Sequence, residues 1–284
     1  MGYDYRTMNE EIDALLEKYN TIEAFSIGRS VMNKDIPCLK IGRGSKKLFL
    51  SGAYHGLEYL TAAFLIRFIK HYAENFYNGT GDTKELFGKV TLFMSPMINP
   101  DGVDIAVNGL DITNPYHRAL ISMVGIHSFN TVWQANARGV DINHNYDAKW
   151  NMVMEKPSPS KYGGEMAESE PETRAVVEFV RRMNFDMLLA FHSQGREIYY
   201  DFDGMEGERS REIADKMAEE SGYAVCRPEG TASFGGCKDW FIKEFGREGF
   251  TVEIGEGKNP LPMEMLDEIY EENEKLILRV MREM

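Results

Sequence analysis

Two of the six histidines in this chain stand where an apolar run ends. His55 follows "KKLFLSGAY", and His192 follows "FDMLLAF". Glu58 comes three residues after His55, just before the helical pattern "TAAFLIRFIK". One short turn separates the pair, so both side chains reach a single ion. Two imidazoles and a carboxylate, with a fourth position open to water, make the ligand set of a catalytic zinc site. The bland alternative is a pair of satisfied core histidines and a glutamate favoured by a helix N-terminus. H-x-x-E alone says no more than that, but two strand-ending histidines are less ordinary.

Glu253 adds the decisive group. In "GFTVEIG", strand alternation puts Phe250, Val252 and Ile254 on one face and Thr251 and Glu253 on the other. A carboxylate in an apolar strand is costly to bury unless it is paired or used. A salt bridge to a basic residue would satisfy it. So would work as a general base, with burial raising its pKa, on water at the metal.

These residues need elements to hold them. "FSIGRS" and "IPCLKIG" read as strands joined by the turn "MNKD", and "KKLFLSGAYH", "GKVTLFMSPM", "FDMLLAFHS" and "GFTVEIG" read as further strands. Helical patterns cover about 8–20, 58–76, "SEPETRAVVEFVRRM", "GERSREIADKMAEESG", "DWFIKEFG" and the C-terminal "LPMEMLDEIYEENEKLILRVMREM". Ser169 and Glu172 match a capping box, with Pro171 in the first turn. Residues from about 99 to 169 read mostly as loop, long enough to be functional, and their aromatics favour an ordered surface. Strands alternating with helices indicate a single-domain α/β/α sandwich over residues 1–284, its sheet mixed and mostly parallel. In such sheets ligands bind beyond the carboxyl ends of the strands, where His55 and His192 lie.

Composition excludes several classes. A net charge of −13 argues against a nucleic-acid binder, which needs a basic face. No apolar run has the length of a membrane span, and the N-terminal stretch lacks a signal-peptide pattern, so a cytoplasmic enzyme is expected. Met1-Gly2 does not complete a myristoylation motif, because Arg6 stands where Ser or Thr is wanted. Cys38, Cys226 and Cys237 are odd in number and show no C-x-x-C spacing, against a disulfide framework. Cys237 reads as a small core residue rather than a nucleophile.

"HGLE", "NPDG", "ARGVDINHN", "SEPET", "FHS" and "FTVEIGEGKNPLP" occur in the order seen in the carboxypeptidase A-like zinc metallopeptidases, which this chain resembles from about Gly28 to Pro262. "EIGEGKNPLP" and "WQANARGVD" look most like the bacterial γ-D-glutamyl-diamino-acid endopeptidase branch, which trims peptidoglycan peptides. The resemblance implies one zinc ion held by His55, Glu58 and His192, with Glu253 as general base and acid. It also implies that Asp141 orients the first histidine, a role metal-bound imidazoles usually need. Arg138 is the candidate to stabilise the oxyanion. Gln134 is its rival, lying directly after Trp133 where some members carry that arginine. Asn143 matches a residue that binds substrate carboxylate, and Ser193 lines the cleft beside the third ligand.

Three departures stand out. His144 occupies the place of a forked arginine and is a weaker, pH-dependent carboxylate anchor. Thr231 falls where digestive members have a mobile tyrosine. Lys238 stands where a specificity residue would lie. Its ammonium would favour a substrate with an extra carboxylate, such as diaminopimelate, unless it is a solvated helix lysine. The expected substrate is therefore a small cell-wall peptide. The alternatives are an ordinary metallocarboxypeptidase, an N-acyl amino acid deacylase on the same metal site, and an inactive peptide-binding module. His71, His117 and His127 receive no role.

Overall fold

The structure is a computed structural model that describes residues 2–150, 156–228 and 234–284. Strands β1 (Ile22–Arg29) and β2 (Asp35–Ile41) form an antiparallel hairpin. They are followed by β3 (Lys46–Ser51), β4 (Val90–Ser95), β5 (Met187–His192), β6 (Glu197–Tyr199), β7 (Ala224–Cys226) and β8 (Glu248–Glu253). All join one sheet in the order β1-β2-β4-β3-β5-β8-β6-β7. The central four, β4-β3-β5-β8, run parallel, whereas β2 and β6 flank them antiparallel. Every residue of β4 and β5 is buried, which is why those strands read as unbroken apolar runs rather than alternating ones.

Helices cover both faces. Leu48 and Leu50 point into a core with α1 (Tyr5–Lys18), α2 (Tyr59–Asn78), α8 (Ser210–Ser221) and α10 (Leu266–Glu283). Phe49 points the other way, onto α7 (Pro171–Met183) and α9 (Cys237–Phe245). The α/β/α sandwich with a mixed, centrally parallel sheet is thus as expected.

Several boundaries differ from the sequence reading. The first helix starts earlier than expected, because the Asp4 carboxylate caps it by accepting from Thr7 N at 2.9 Å. The turn before β4 is helical (α3, Thr83–Lys89), and β6 and β7 are three residues each, too short to show a period.

The first half of the expected long loop is helical, whereas the described residues beyond Trp133 keep mostly to loop as expected. It holds α4 (Pro100–Asn108), α5 (His117–Val124) and α6 (Phe129–Val132). Asn99 starts α4 by accepting from Gly102 N, with Pro100 in the first turn, so "NPDG" is a helix start rather than a turn. Ile105, Leu120, Val124 and Trp133 close with Leu57 into a separate small core. A fully buried Leu such as Leu120 contributes about 2 kcal/mol there.

The capping box is also corrected. Helix α7 follows Glu170 without a side-chain cap, and Ser169 Oγ donates instead to Glu170 Oε1 at 2.8 Å. Glu172 turns away from the helix to accept from Val31 N at 3.0 Å.

Candidate active site

The short turn Gly56–Glu58 leads straight into α2 and aims His55 and Glu58 over the carboxyl ends of the parallel strands. Its approach is tight. A Cβ at Gly56 would lie 2.4 Å from Gly102 O and 2.7 Å from Trp133 O, so only glycine lets these segments press on the turn. Gly56 N donates to Gln134 O at 3.0 Å, and Asn99 Nδ2 donates to Tyr54 O at 2.9 Å. The folded 99–134 segment therefore serves as the brace behind His55.

His192 is the last residue of β5 and lies directly across from Glu253, the last of β8. His55 Nδ1 is 2.8 Å from Glu58 Oε1, and His192 Nδ1 is 3.0 Å from Glu58 Oε2. One ligand atom from each of the three lies within 4.8 Å of the others. The second nitrogen of His55 faces away, 3.1 Å from Asp141 Oδ1. That contact leaves Nδ1 turned toward the cluster, as a metal-holding imidazole requires. Tyr54 stacks on His192 with ring centroids 5.1 Å apart. The residues fit a divalent ion: two imidazole nitrogens and a carboxylate converge, and the donor set suits zinc.

The electrostatics favour positive charge at this point. Burial opposes a charged His55, but Glu58 and Asp141 outweigh it and hold its pKa well above the ordinary value. Burial likewise works to raise the Glu58 pKa, yet His55 and His192 bring it down to about 2. Glu253 behaves oppositely. Burial, then the negative charge of Glu58, pushes its pKa well above the usual carboxylate range. Its cross-strand neighbour on β6 is Glu197, another acid, whose charge adds to the rise, and no basic side chain among the described residues forms a salt bridge with it. The site thus pairs a cation-attracting cluster with a carboxylate that holds protons strongly, the combination acid–base hydrolysis needs.

A zinc carboxypeptidase family model (Peptidase M14) matches residues 8–276. The chain belongs to the zinc carboxypeptidase family. Among curated relatives, γ-D-glutamyl-L-diamino acid endopeptidase 1 of Lysinibacillus sphaericus is 36% identical over 279 residues, 95% of this chain and 70% of that protein. The fold of thrombin activatable fibrinolysis inhibitor superposes with a TM-score of 0.82 at 19% identity, over 100% of this chain and 74% of that one. Murein-tripeptide amidase of Escherichia coli O157 superposes at 0.58 with 19% identity, over 90% and 91%. As a member of this family the chain is a metallopeptidase, and no helix among its described residues is long and apolar enough to cross a membrane.

Within the zinc carboxypeptidase frame, the remaining candidates separate. Arg138 is half-exposed and pairs with Glu170 Oε2 at 3.6 Å, away from the His-Glu-His cluster in its contacts. Of the two oxyanion candidates, Gln134 adjoins the turn that carries His55 and Glu58, where its backbone carbonyl accepts from Gly56 N. Asp141 reaches His55 with one oxygen and accepts from Lys161 N at 2.8 Å with the other. Asn143 accepts from Cys237 N at 3.1 Å, holding the start of α9. His144 Nδ1 lies 2.7 Å from Phe234 O, with Nε2 at 4.0 Å from Asp141 Oδ2. Thr231 lies outside the described residues.

Lys238 is not a solvated helix lysine. It is buried, ion-paired with Asp239, and donates to Asp201 O at 2.6 Å. Its own carbonyl oxygen sits 3.3 Å from where a Cβ at Gly249 would be, on the face of β8 that carries Glu253. Ser193 is likewise committed, donating to Asn259 Oδ1 at 2.8 Å. Cys237 is a buried thiol, its pKa pushed up to about 12 by burial, which fits the core reading.

The sequence reading missed three groups. Asn259 touches Glu58, although "GKNPLP" had been singled out as a motif. Asn99 braces the ligand turn from within "NPDG". Glu170 and Glu172 of "SEPET" both accept from Asn136 Nδ2, at 2.8 and 3.2 Å. Quoting these motifs found the positions but not their partners.

Proposed function

We propose that this zinc metallopeptidase hydrolyses the amide between a γ-D-glutamyl group and a diamino acid in short cell-wall peptides, with one zinc ion on His55, Glu58 and His192. The observation that carries the reading is the 36% identity to a γ-D-glutamyl-L-diamino acid endopeptidase over 95% of the chain. His144 supports it. An imidazole already turned to the Phe234 carbonyl is a poor substitute for a bidentate arginine on a free C-terminal carboxylate.

Held by His55, Glu58 and His192, zinc would supply Lewis-acid polarisation of the scissile carbonyl. The chain's own residues carry the proton and the orientation. Glu253 accepts a proton from the water that attacks the amide carbonyl carbon. Gln134, whose backbone adjoins the turn carrying His55 and Glu58, donates from its side-chain amide to the oxygen that gains charge. As the C–N bond breaks, Glu253 returns its proton to the leaving amine.

The test compares defined muropeptides with ordinary peptides, C-terminally free and blocked, and with N-acyl amino acids. Cleavage at the γ-D-glutamyl bond is the expected result. Release only of ordinary C-terminal residues, or only of acyl groups, overturns the substrate reading while leaving the metallopeptidase intact.

A further inference from the structure

The loop after Glu253 returns to the metal cluster at one residue. We infer that Asn259 is a positioning residue for two metal ligands at once, its side-chain amide tying the Glu58 carboxylate to the chain directly after His192. The inference rests on Glu58 and His192 holding the metal.

Asn259 Nδ2 donates to Ser193 O at 2.6 Å and to Glu58 Oε1 at 3.4 Å. Asn259 Oδ1 accepts from the Ser193 hydroxyl at 2.8 Å. The network admits only this orientation. Reversed, the amide oxygen would face a carbonyl and a carboxylate, and the amino group would face Ser193 Oγ without Glu58 gaining a donor. Among side chains, only a primary amide presents two donors and an acceptor from one rigid plane. Aspartate at 259 would set like charge against Glu58, and leucine would leave the Ser193 carbonyl unpaired.

The residue is itself firmly held. Gly195 N donates to Gly255 O at 2.9 Å, and Gly257 N donates to Gln194 Oε1 at 3.2 Å, zipping the two loops together. Ile254 N donates to His192 O at 2.8 Å. Glu58 and Asn259 are 201 positions apart, so the clamp links the first ligand turn to the last loop of the sheet. Groups that orient metal ligands typically change metal affinity about 10–100-fold when removed.

The experiment is chelator competition for zinc by wild type, N259A, S193A and the double variant, with cobalt(II) absorption as a second readout of ligand geometry. N259A is expected to bind zinc at least about tenfold more weakly and to shift the cobalt bands. S193A should weaken zinc binding less, and the double variant should match N259A, because both act through one amide. N259A binding zinc within twofold of wild type with unchanged cobalt bands overturns the inference, as do additive effects. If N259A does not fold by circular dichroism, S193A decides: unchanged zinc affinity overturns it. Wild type that binds no zinc would overturn the metal-site reading instead, and the two failures are therefore distinct.

Discussion

His192 and Glu253 end neighbouring parallel strands at the same step of the ladder. His192 belongs to the His-Glu-His cluster and Glu253 is the acid whose pKa is raised beside it, so a single backbone register sets the distance between them. A slip of one residue in that pairing would turn Glu253 to the opposite face of the sheet, among Phe250 and Val252 in the core. The ladder thus fixes the two groups relative to one another.

Glu253→Gln keeps the shape and removes the base. It should lower kcat about 10²–10⁴-fold while zinc content stays at the wild-type level. Metal analysis beside steady-state assays checks both halves. A variant that stays within tenfold of wild type would remove Glu253 from the mechanism.

Asp141→Asn removes the charged partner on the far nitrogen of His55 and weakens the link to Lys161 N. Zinc affinity should fall about 10–100-fold, and activity lost after chelation should return at correspondingly higher added zinc. In wild type, chelation should abolish activity and stoichiometric zinc should restore it. Activity that survives full metal removal would contradict the site.

Gln134→Ala and Arg138→Ala separate the two oxyanion candidates. Gln134→Ala should cost about 10²–10³-fold in kcat. Arg138→Ala should cost less than about tenfold, because its half-exposed guanidinium is spent on Glu170. The reverse ranking would return the role to Arg138.

Glu172 predicts a pH dependence of stability. It is fully buried, and burial raises its pKa to about 7. The hydrogen bonds from Val31 N and Asn136 oppose the rise, while the charge of Asp101 adds to it. Lys34 pairs with Asp101 at 3.4 Å, and Arg138 pairs with Glu170 on the far side of Asn136. The folded pKa lies above the unfolded value of roughly 4.3, so the stabilisation is complete below that pH and lost as pH climbs through 7. Glu172→Gln has no such slope. Relative to wild type it should gain on the order of 3 kcal/mol between pH 4 and 8, read from urea midpoints. A constant difference across that range would show that the Glu172 pKa is not raised on folding.

Residue type and strand position were enough to nominate His55, Glu58, His192 and Glu253, because an apolar run ending in a ligating side chain is a local pattern. The helical patterns and the α/β alternation were legible for the same reason. The segment 99–134 was not: its Gly, Pro and Asn residues read as turns, and only the burial of Trp133 against Leu57 and Ile105 shows what they fold around. Lys238 shows the limit most plainly. A lysine near a helix start looks the same in sequence whether it faces solvent or Asp239 and the Asp201 carbonyl.

By itself the sequence determined which chemistry the chain can do, since ligand type and apolar periodicity are properties of neighbouring residues. Tertiary structure decided which polar groups support that chemistry. Asn259 on Glu58 and Asp141 on His55 join residues 201 and 86 positions apart. Such contacts exist only after the sheet has closed, and a short-range pattern carries no record of them.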